Sequence, residues 1–239
     1  MKTIFYGADT RGVANHGWLD SKHTFSFANY YNPERMSFGL LRVVNDDVVA
    51  PKMGFGTHPH DNMEIVSIPL FGDLAHKDSM GNVQTIKQGE IQVMSAGTGI
   101  THSEFNANAD KAVEFFQIWV YPRAQSLKPK YDQKEFDFNA KRNDFTLVVS
   151  PDSEAGSLHT YQDVWFSIGK FDQGVEKPYQ VRKPTNGVFA MVIEGQFEVN
   201  GKTLERRDAI GLWEVDTINI KSLTEDAQIL LIDVPMDFE

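Results

Sequence analysis

The chain has 239 residues, 41% of them hydrophobic, with 17 Phe and no cysteine. That is enough for one large domain or two of about 120 residues, and it excludes thiolate ligands, disulfides and a cysteine nucleophile. A net charge of −10 argues against direct nucleic-acid binding, because affinity for phosphate backbones comes from Lys and Arg. The run from Met1 to Asp9 is broken too early for a secretory signal, and no later segment reaches the roughly eighteen apolar residues of a membrane span, so a cytoplasmic location without membrane contact is expected.

In chain order, Thr24-Phe25-Ser26-Phe27 alternates and predicts a strand with both rings on one face, ended by Asn32-Pro33. Phe38 to Val49 predicts a strand with a turn at the Asn45-Asp46-Asp47 cluster. The next stretch carries the chemistry: Thr57-His58-Pro59-His60-Asp61-Asn62-Met63-Glu64, preceded by Gly54-Phe55-Gly56. Side chains two apart on a strand point the same way, so His58, His60 and Glu64 are expected on one face. About forty residues on, after Ala96-Gly97-Thr98-Gly99, Thr101-His102-Ser103-Glu104 repeats the device with His102 and Glu104. Neutral imidazole with carboxylate is the donor set of iron, nickel, copper or zinc, whereas calcium and magnesium prefer oxygen. A lone His-x-His is a weak signal; two such pairs in a strand-rich setting point to a transition-metal site.

Between the pairs, Ile65 to Asp73 is a buried run in which Pro69 removes one ladder donor and predicts a bulge or an edge. Turns follow at Met80-Gly81-Asn82 and Lys87-Gln88-Gly89-Glu90, a spacing that means a sandwich or barrel and not a βαβ sheet. From Glu114 to Tyr121, Phe115, Gln117, Trp119 and Tyr121 share one face and Phe116, Ile118 and Val120 the other. The polar stretch from Pro122 to Asp144 reads as a linker, placing one domain at residues 1–135 and a second at 136–239.

Strands resume at Phe145 to Val149 and Val164 to Gly169, and Phe197 to Leu204 predicts a hairpin turning at Asn200-Gly201 with Phe197 opposite Leu204. Laying Gly72 on Gly195 repeats the turn rhythm, with Gly81 near Gly201 and Gly89-Glu90 near Arg207-Asp208. The same offsets put Val181, Lys183 and Gly187 where His58, His60 and Glu64 stand, and Ile220 and Ser222 where His102 and Glu104 stand. The second half therefore lacks the ligands, and its His159 reads as a loop residue.

Gly17-Trp18-Leu19-Asp20-Ser21 with His23 to Phe27, the segment Leu41 to Asp47, His58-Pro59-His60 followed by Glu64, and Gly97 to Glu104 together resemble the pirin family of bicupins. The likeness is to the bacterial pirin-like quercetinases more than to nuclear pirin. It implies an all-β chain of two tandem cupin (jelly-roll) β-barrels. The first would hold one divalent metal, Fe(II) foremost and Ni, Co, Cu, Mn or Zn otherwise, on His58, His60, His102 and Glu104. Many other cupins use the glutamate that corresponds to Glu64, and spacing alone does not choose between the two carboxylates.

The resemblance also implies a quercetin 2,3-dioxygenase, opening a flavonol with O2 and releasing CO, with Glu104 or Glu64 as the catalytic proton acceptor. Two alternatives stand beside it: a non-catalytic metal or redox sensor that docks on a transcription regulator, and a dioxygenase for another substrate, since a fold does not fix its function. A monomer is expected.

Overall fold

Along residues 113–120 the two faces go to different interiors, and that division explains the layering. Phe116, Ile118 and Val120 enter a core shared with Phe166, Phe189, Met191 and Ile232 of the second half, while Phe115 packs inside the first half with Leu74 and Ile86. The computed structural model describes residues 1–237. The first half comprises β1 (Lys2–Tyr6), β2 (Gly12–Asn15), β3 (Leu19–His23), β4 (Leu41–Val49), β5 (Gly54–His60), β6 (Glu64–Phe71), β7 (Leu74–Asp78), β8 (Val83–Ile86), β9 (Glu90–Ser95), β10 (Ile100–Asn106), β11 (Val113–Val120) and β12 (Lys130–Glu135). The second comprises β13 (Phe145–Ser150), β14 (Leu158–His159), β15 (Trp165–Phe171), β16 (Glu176–Gln180), β17 (Asn186–Glu194), β18 (Phe197–Val199), β19 (Lys202–Leu204), β20 (Ala209–Trp213), β21 (Thr217–Ser222) and β22 (Ala227–Pro235). None of the described helices is long and apolar enough to cross a membrane.

Each half is a barrel of one seven-stranded and one four-stranded sheet. The first has the orders β12-β9-β6-β11-β4-β3-β2 and β5-β10-β7-β8; the second has β1-β20-β17-β22-β15-β13-β14 and β16-β21-β18-β19. From β9-β6-β11-β4-β3 and β20-β17-β22-β15-β13 through the four-stranded sheets these orders correspond strand for strand, so the repeat is real; at the far edge β14 lies parallel to β13 where β2 lies antiparallel to β3. The division of the chain differs from the expected one at the N-terminus. β1 lies within the expected first domain, residues 1–135, yet it pairs antiparallel with β20 of the second barrel, in the place that β12 takes against β9 in the first. The stretch read as a linker thus contains a strand, β12.

Several local expectations hold. Phe197 pairs with Leu204, and Asn200 and Gly201 both take positive φ, 46° and 82°, as a two-residue turn between right-twisted strands requires. The register slips between Glu114 and Phe115, opposite Phe71 and Pro69, so the bulge falls beside the proline. Two expectations fail. β4 runs unbroken through Asn45-Asp46-Asp47, so these residues form no turn. Residues 24–27 lie beyond the end of β3 and form a loop closed by an isolated bridge from Phe27 to Tyr30.

Candidate metal centre

His58 and His60 project from β5 and His102 from the neighbouring β10, where His102 pairs with His58. Ring centroids are 4.8 Å apart for His58 and His60, 4.4 Å for His58 and His102, and 4.7 Å for His60 and His102. Between His102 and Glu104 the register with β5 shifts, so Glu104 faces Phe55. That bulge brings Phe55 to the same side as His58, three residues away, which strict alternation forbids. Gly54 permits the close approach, since a Cβ there would lie 2.2 Å from the Glu104 carbonyl oxygen.

Ligand-capable atoms of the described residues meet in two groups, His58 with His60 and His102, and His76 with His102 and Glu104. In the first group the His58 Nδ1 donates to the Gly56 carbonyl at 2.8 Å, which turns Nε2 to the cluster. Both nitrogens of His102 are buried and have no hydrogen-bond partner among the described residues. Buried polar atoms are rarely left so, and a cation at the cluster would satisfy one of them. Burial and the neighbouring imidazoles hold His60 down at about 4 and His102 at about 3, so both are neutral, metal-ready donors near neutral pH. The donor set therefore fits a divalent transition metal.

His76, which spacing did not single out, has both nitrogens engaged: Nε2 with Asp78 at 3.2 Å and Nδ1 with the Gln92 amide at 3.4 Å. It braces the site from behind His102, its ring 5.3 Å from that imidazole.

The two glutamates part company. The Glu104 carboxylate is buried inside the barrel and accepts from Gln117 Nε2 at 3.1 and 2.9 Å and from Ser67 Oγ at 3.4 Å. The shared face expected for Glu64 does not form, because the chain turns at residues 61–63, with Asn62 at φ 46°, and Glu64 begins β6 in the opposite sheet. There its Oε2 accepts from Ser95 Oγ at 2.6 Å, Thr160 Oγ1 at 2.8 Å and the Tyr161 backbone N–H at 3.2 Å. Glu64 thus ties the first barrel to the second and belongs to neither ligand group.

A cavity of about 70 Å³ opens on the cluster, lined by His58, His60, Phe55 and Glu104 from one sheet and by Gln117, Trp119, Asn45 and Asp47 from the other, together with Phe27. The Trp119 ring stands edge-on to His60 at 4.8 Å and to Phe27 at 5.3 Å. Asp47 is buried, accepts from Ser21 Oγ, and is pushed up to about 7 by that burial. Asn45 and Asp47 escaped the sequence reading because they were assigned to a turn. The available signal was three polar residues in the middle of a Val- and Leu-rich strand.

The residues of the second barrel equivalent to the candidate ligands follow from its pairing. Phe197 pairs with Ser222 as Leu74 pairs with Asn106, and Tyr179 with Ile218 as His58 with His102. Tyr179, Val181, Ile218 and Ile220 therefore stand where His58, His60, His102 and Glu104 do. The offsets read from sequence were two residues out, and the absence of ligands there is unchanged.

The family model described as Pirin matches residues 7–120, and that described as Quercetinase C-terminal cupin domain matches residues 147–234. The chain is 43% identical over 232 residues to a quercetin 2,3-dioxygenase of Escherichia coli (strain K12), covering 95% of this chain and 96% of that one. The chain belongs to the pirin family. It is also 38% identical over 226 residues to a pirin-like protein of Caulobacter vibrioides, covering 94% and 96%. Among solved structures, bacterial pirin YhhW in complex with nickel(II) from Escherichia coli superposes with a TM-score of 0.93 at 40% identity, covering 98% of this pirin and 99% of that chain. The two tandem barrels are thus the cupin pair of a pirin.

Proposed function

We propose that this pirin is a metal-dependent dioxygenase of flavonols, a quercetin 2,3-dioxygenase. The observation that carries the reading is the buried His102, unpartnered among the described residues, at one corner of an imidazole triangle beside a buried carboxylate, in a chain similar to proteins so named. His58, His60, His102 and Glu104 are the proposed ligands of one divalent metal. That metal would supply Lewis acidity toward a hydroxyl and its neighbouring carbonyl, and a binding position for O2. Glu104 is the proposed acceptor of the substrate hydroxyl proton, its carboxylate oriented by Gln117 and Ser67. Phe27, Phe55 and Trp119 exclude water from the reacting end. Glu64, with its three donors, is assigned to holding the barrels together.

A second reading has one observation behind it. The cavity of about 70 Å³ is far below the roughly 300 Å³ at which sites for whole drug-sized ligands begin, which favours a smaller chelating substrate, or entry of only the chelating end of a flavonol. One experiment separates these. Protein loaded with iron, nickel, cobalt or manganese should bleach quercetin near neutral pH with O2 uptake and equimolar CO, and stripped protein should not. No bleaching above the stripped control with any metal would end the flavonol reading and leave the smaller substrate, or the metal-sensing role, in its place.

A further inference from the structure

The wall of the first barrel that faces the imidazoles is crossed by one polar rung. Gln92 pairs with Ser67, Ser67 with Gln117, Gln117 with Asn45 and Asn45 with His23, across β9, β6, β11, β4 and β3. All five are buried. The corresponding rung of the second barrel reads Ile210, Ala190, Leu231, Ser167 and Leu147. The same architecture thus closes over an almost wholly apolar rung, so the fold does not demand the polar one.

Part of the rung serves the metal centre, since Gln117 and Ser67 hold Glu104 and Gln92 holds His76. Asn45 does not. It is 3% exposed, lines the cavity, and its Oδ1 is buried without a partner among the described residues. One rung away on the same strand and the same face, Asp47 lines the cavity too, with Oδ1 held by Ser21 and no donor bonded to Oδ2 among the described residues. Trp119 adds to the same cavity a buried indole N–H with no partner among the described residues. A buried polar group left unmatched costs about 1–3 kcal/mol, so a wall that keeps several is built to meet a ligand or water. The cavity is small, about 70 Å³. Any group that reaches Asn45 and Asp47 therefore lies within a few bonds of an atom seated at the imidazoles.

We propose that Asn45 and Asp47 are a second recognition point of the chamber, receiving a hydroxyl that sits beside the chelating oxygens of the substrate and whose one proton goes to Asn45 Oδ1 or Asp47 Oδ2. The inference deepens the flavonol reading and rests on it for the identity of the chelating pair. On a flavonol the 3-hydroxyl and 4-carbonyl chelate, and the 5-hydroxyl is the neighbouring group on the carbonyl side. The site thus selects 5-hydroxylated flavonols and chromones over their 5-deoxy analogues.

The test uses metal-loaded protein without O2 and two small probes, 3,5-dihydroxychromone and 3-hydroxychromone, whose absorbance shifts on chelation. Wild type should bind the dihydroxy probe at least about tenfold more tightly, as expected when a site built to accept a hydroxyl meets an analogue without one. Asn45→Leu should bring the two dissociation constants within about twofold, and Asp47→Asn, which keeps the Ser21 contact, should narrow the gap, both with metal content unchanged. Equal binding of the two probes by wild type, or no binding of either, would overturn the proposal and leave buried water as the partner of this wall. Quercetin turnover is read separately. Failure of turnover with the probe preference intact would sink the dioxygenase reading and leave the recognition point standing.

Discussion

Replacing the two glutamates one at a time separates a proposed ligand from a structural tie. Glu64→Gln keeps an acceptor oxygen but removes the charge on which Ser95, Thr160 and Tyr161 converge. Hydrogen bonds to a charged group are worth about 1.5–3 kcal/mol and neutral ones about 0.5–1.5, so three bonds lose about 3 kcal/mol in all. Relief of a buried carboxylate, whose pKa burial raises against those same bonds, offsets part of this. The expected net loss is about 1–3 kcal/mol, visible as an earlier urea midpoint, with metal content near wild type. Glu104→Gln should do the opposite. It removes the proposed anionic ligand and leaves Gln117 facing an amide that offers one acceptor where Glu104 offers two. Metal affinity by chelator competition should then fall by more than the roughly ten- to hundredfold typical of a group that only orients a ligand. His60→Ala, which breaks the imidazole triangle, serves as the emptied reference. Loss of metal from Glu64→Gln with retention in Glu104→Gln would show that the site uses the other carboxylate, and equal losses would refute the separation drawn here.

Phe27→Ala should open the mouth of the cavity, because Phe27 meets Trp119 and His23 edge-on at 5.3 and 5.2 Å over the imidazoles. A lower KM for flavonol with unchanged metal content is expected in steady-state kinetics, and an unchanged KM would show that Phe27 does not gate entry. Asp47→Asn should change how stripped protein responds to pH. Folded Asp47 titrates near 7 against 3.8 without the fold, so the folded state holds the extra proton between those values and stability falls as pH rises through the window. Three pH units correspond to at most about 4 kcal/mol. The variant should therefore gain on wild type from pH 4 to pH 7 in urea titrations, and parallel curves would place Asp47 in a wetter setting than the structure gives it.

What was legible in the sequence followed from local chemistry. The Asn200-Gly201 hairpin, the bulge at Pro69 and the two faces of β11 each depend on a few neighbouring residues, and the His-x-His and His-x-Glu pairs sit on strands whose alternation survives. What was not legible depended on where a strand stops or slips. Glu64 leaves the face of His58 and His60 because the left-handed Asn62 turns the chain into another sheet. Phe55 joins the face of His58 because of a bulge. Asn45-Asp46-Asp47 has the composition of a turn, but its two acids meet partners that only the fold supplies: Asp47 takes Ser21, and Asp46 takes Arg11 at 3.2 Å and Arg207 of the second barrel at 3.1 Å. The exchange of β1 into the second barrel pairs residues more than two hundred apart, beyond the reach of any local pattern.

The duplicated fold also bears on why a second metal centre would not arise from a few substitutions. Tyr179, Val181, Ile218 and Ile220 occupy the ligand positions, and around them Val188, Ala190, Leu212, Ile229 and Leu231 form one continuous core. An imidazole placed there would find no Gln92, Ser67 or Gln117 counterpart to orient it, since those positions are Ile210, Ala190 and Leu231. A buried polar group without partners is costly. The second barrel instead acts on the first from outside its cavity. Thr160 and the Tyr161 N–H fix Glu64 at the start of β6, four residues after His60, and Arg207 fixes Asp46 between Asn45 and Asp47. Both contacts reach the backbone segments that carry the imidazoles and the opposite wall. The apolar barrel therefore holds both segments that frame the cavity of the polar one, and weakening either contact should loosen that segment before it unfolds the chain.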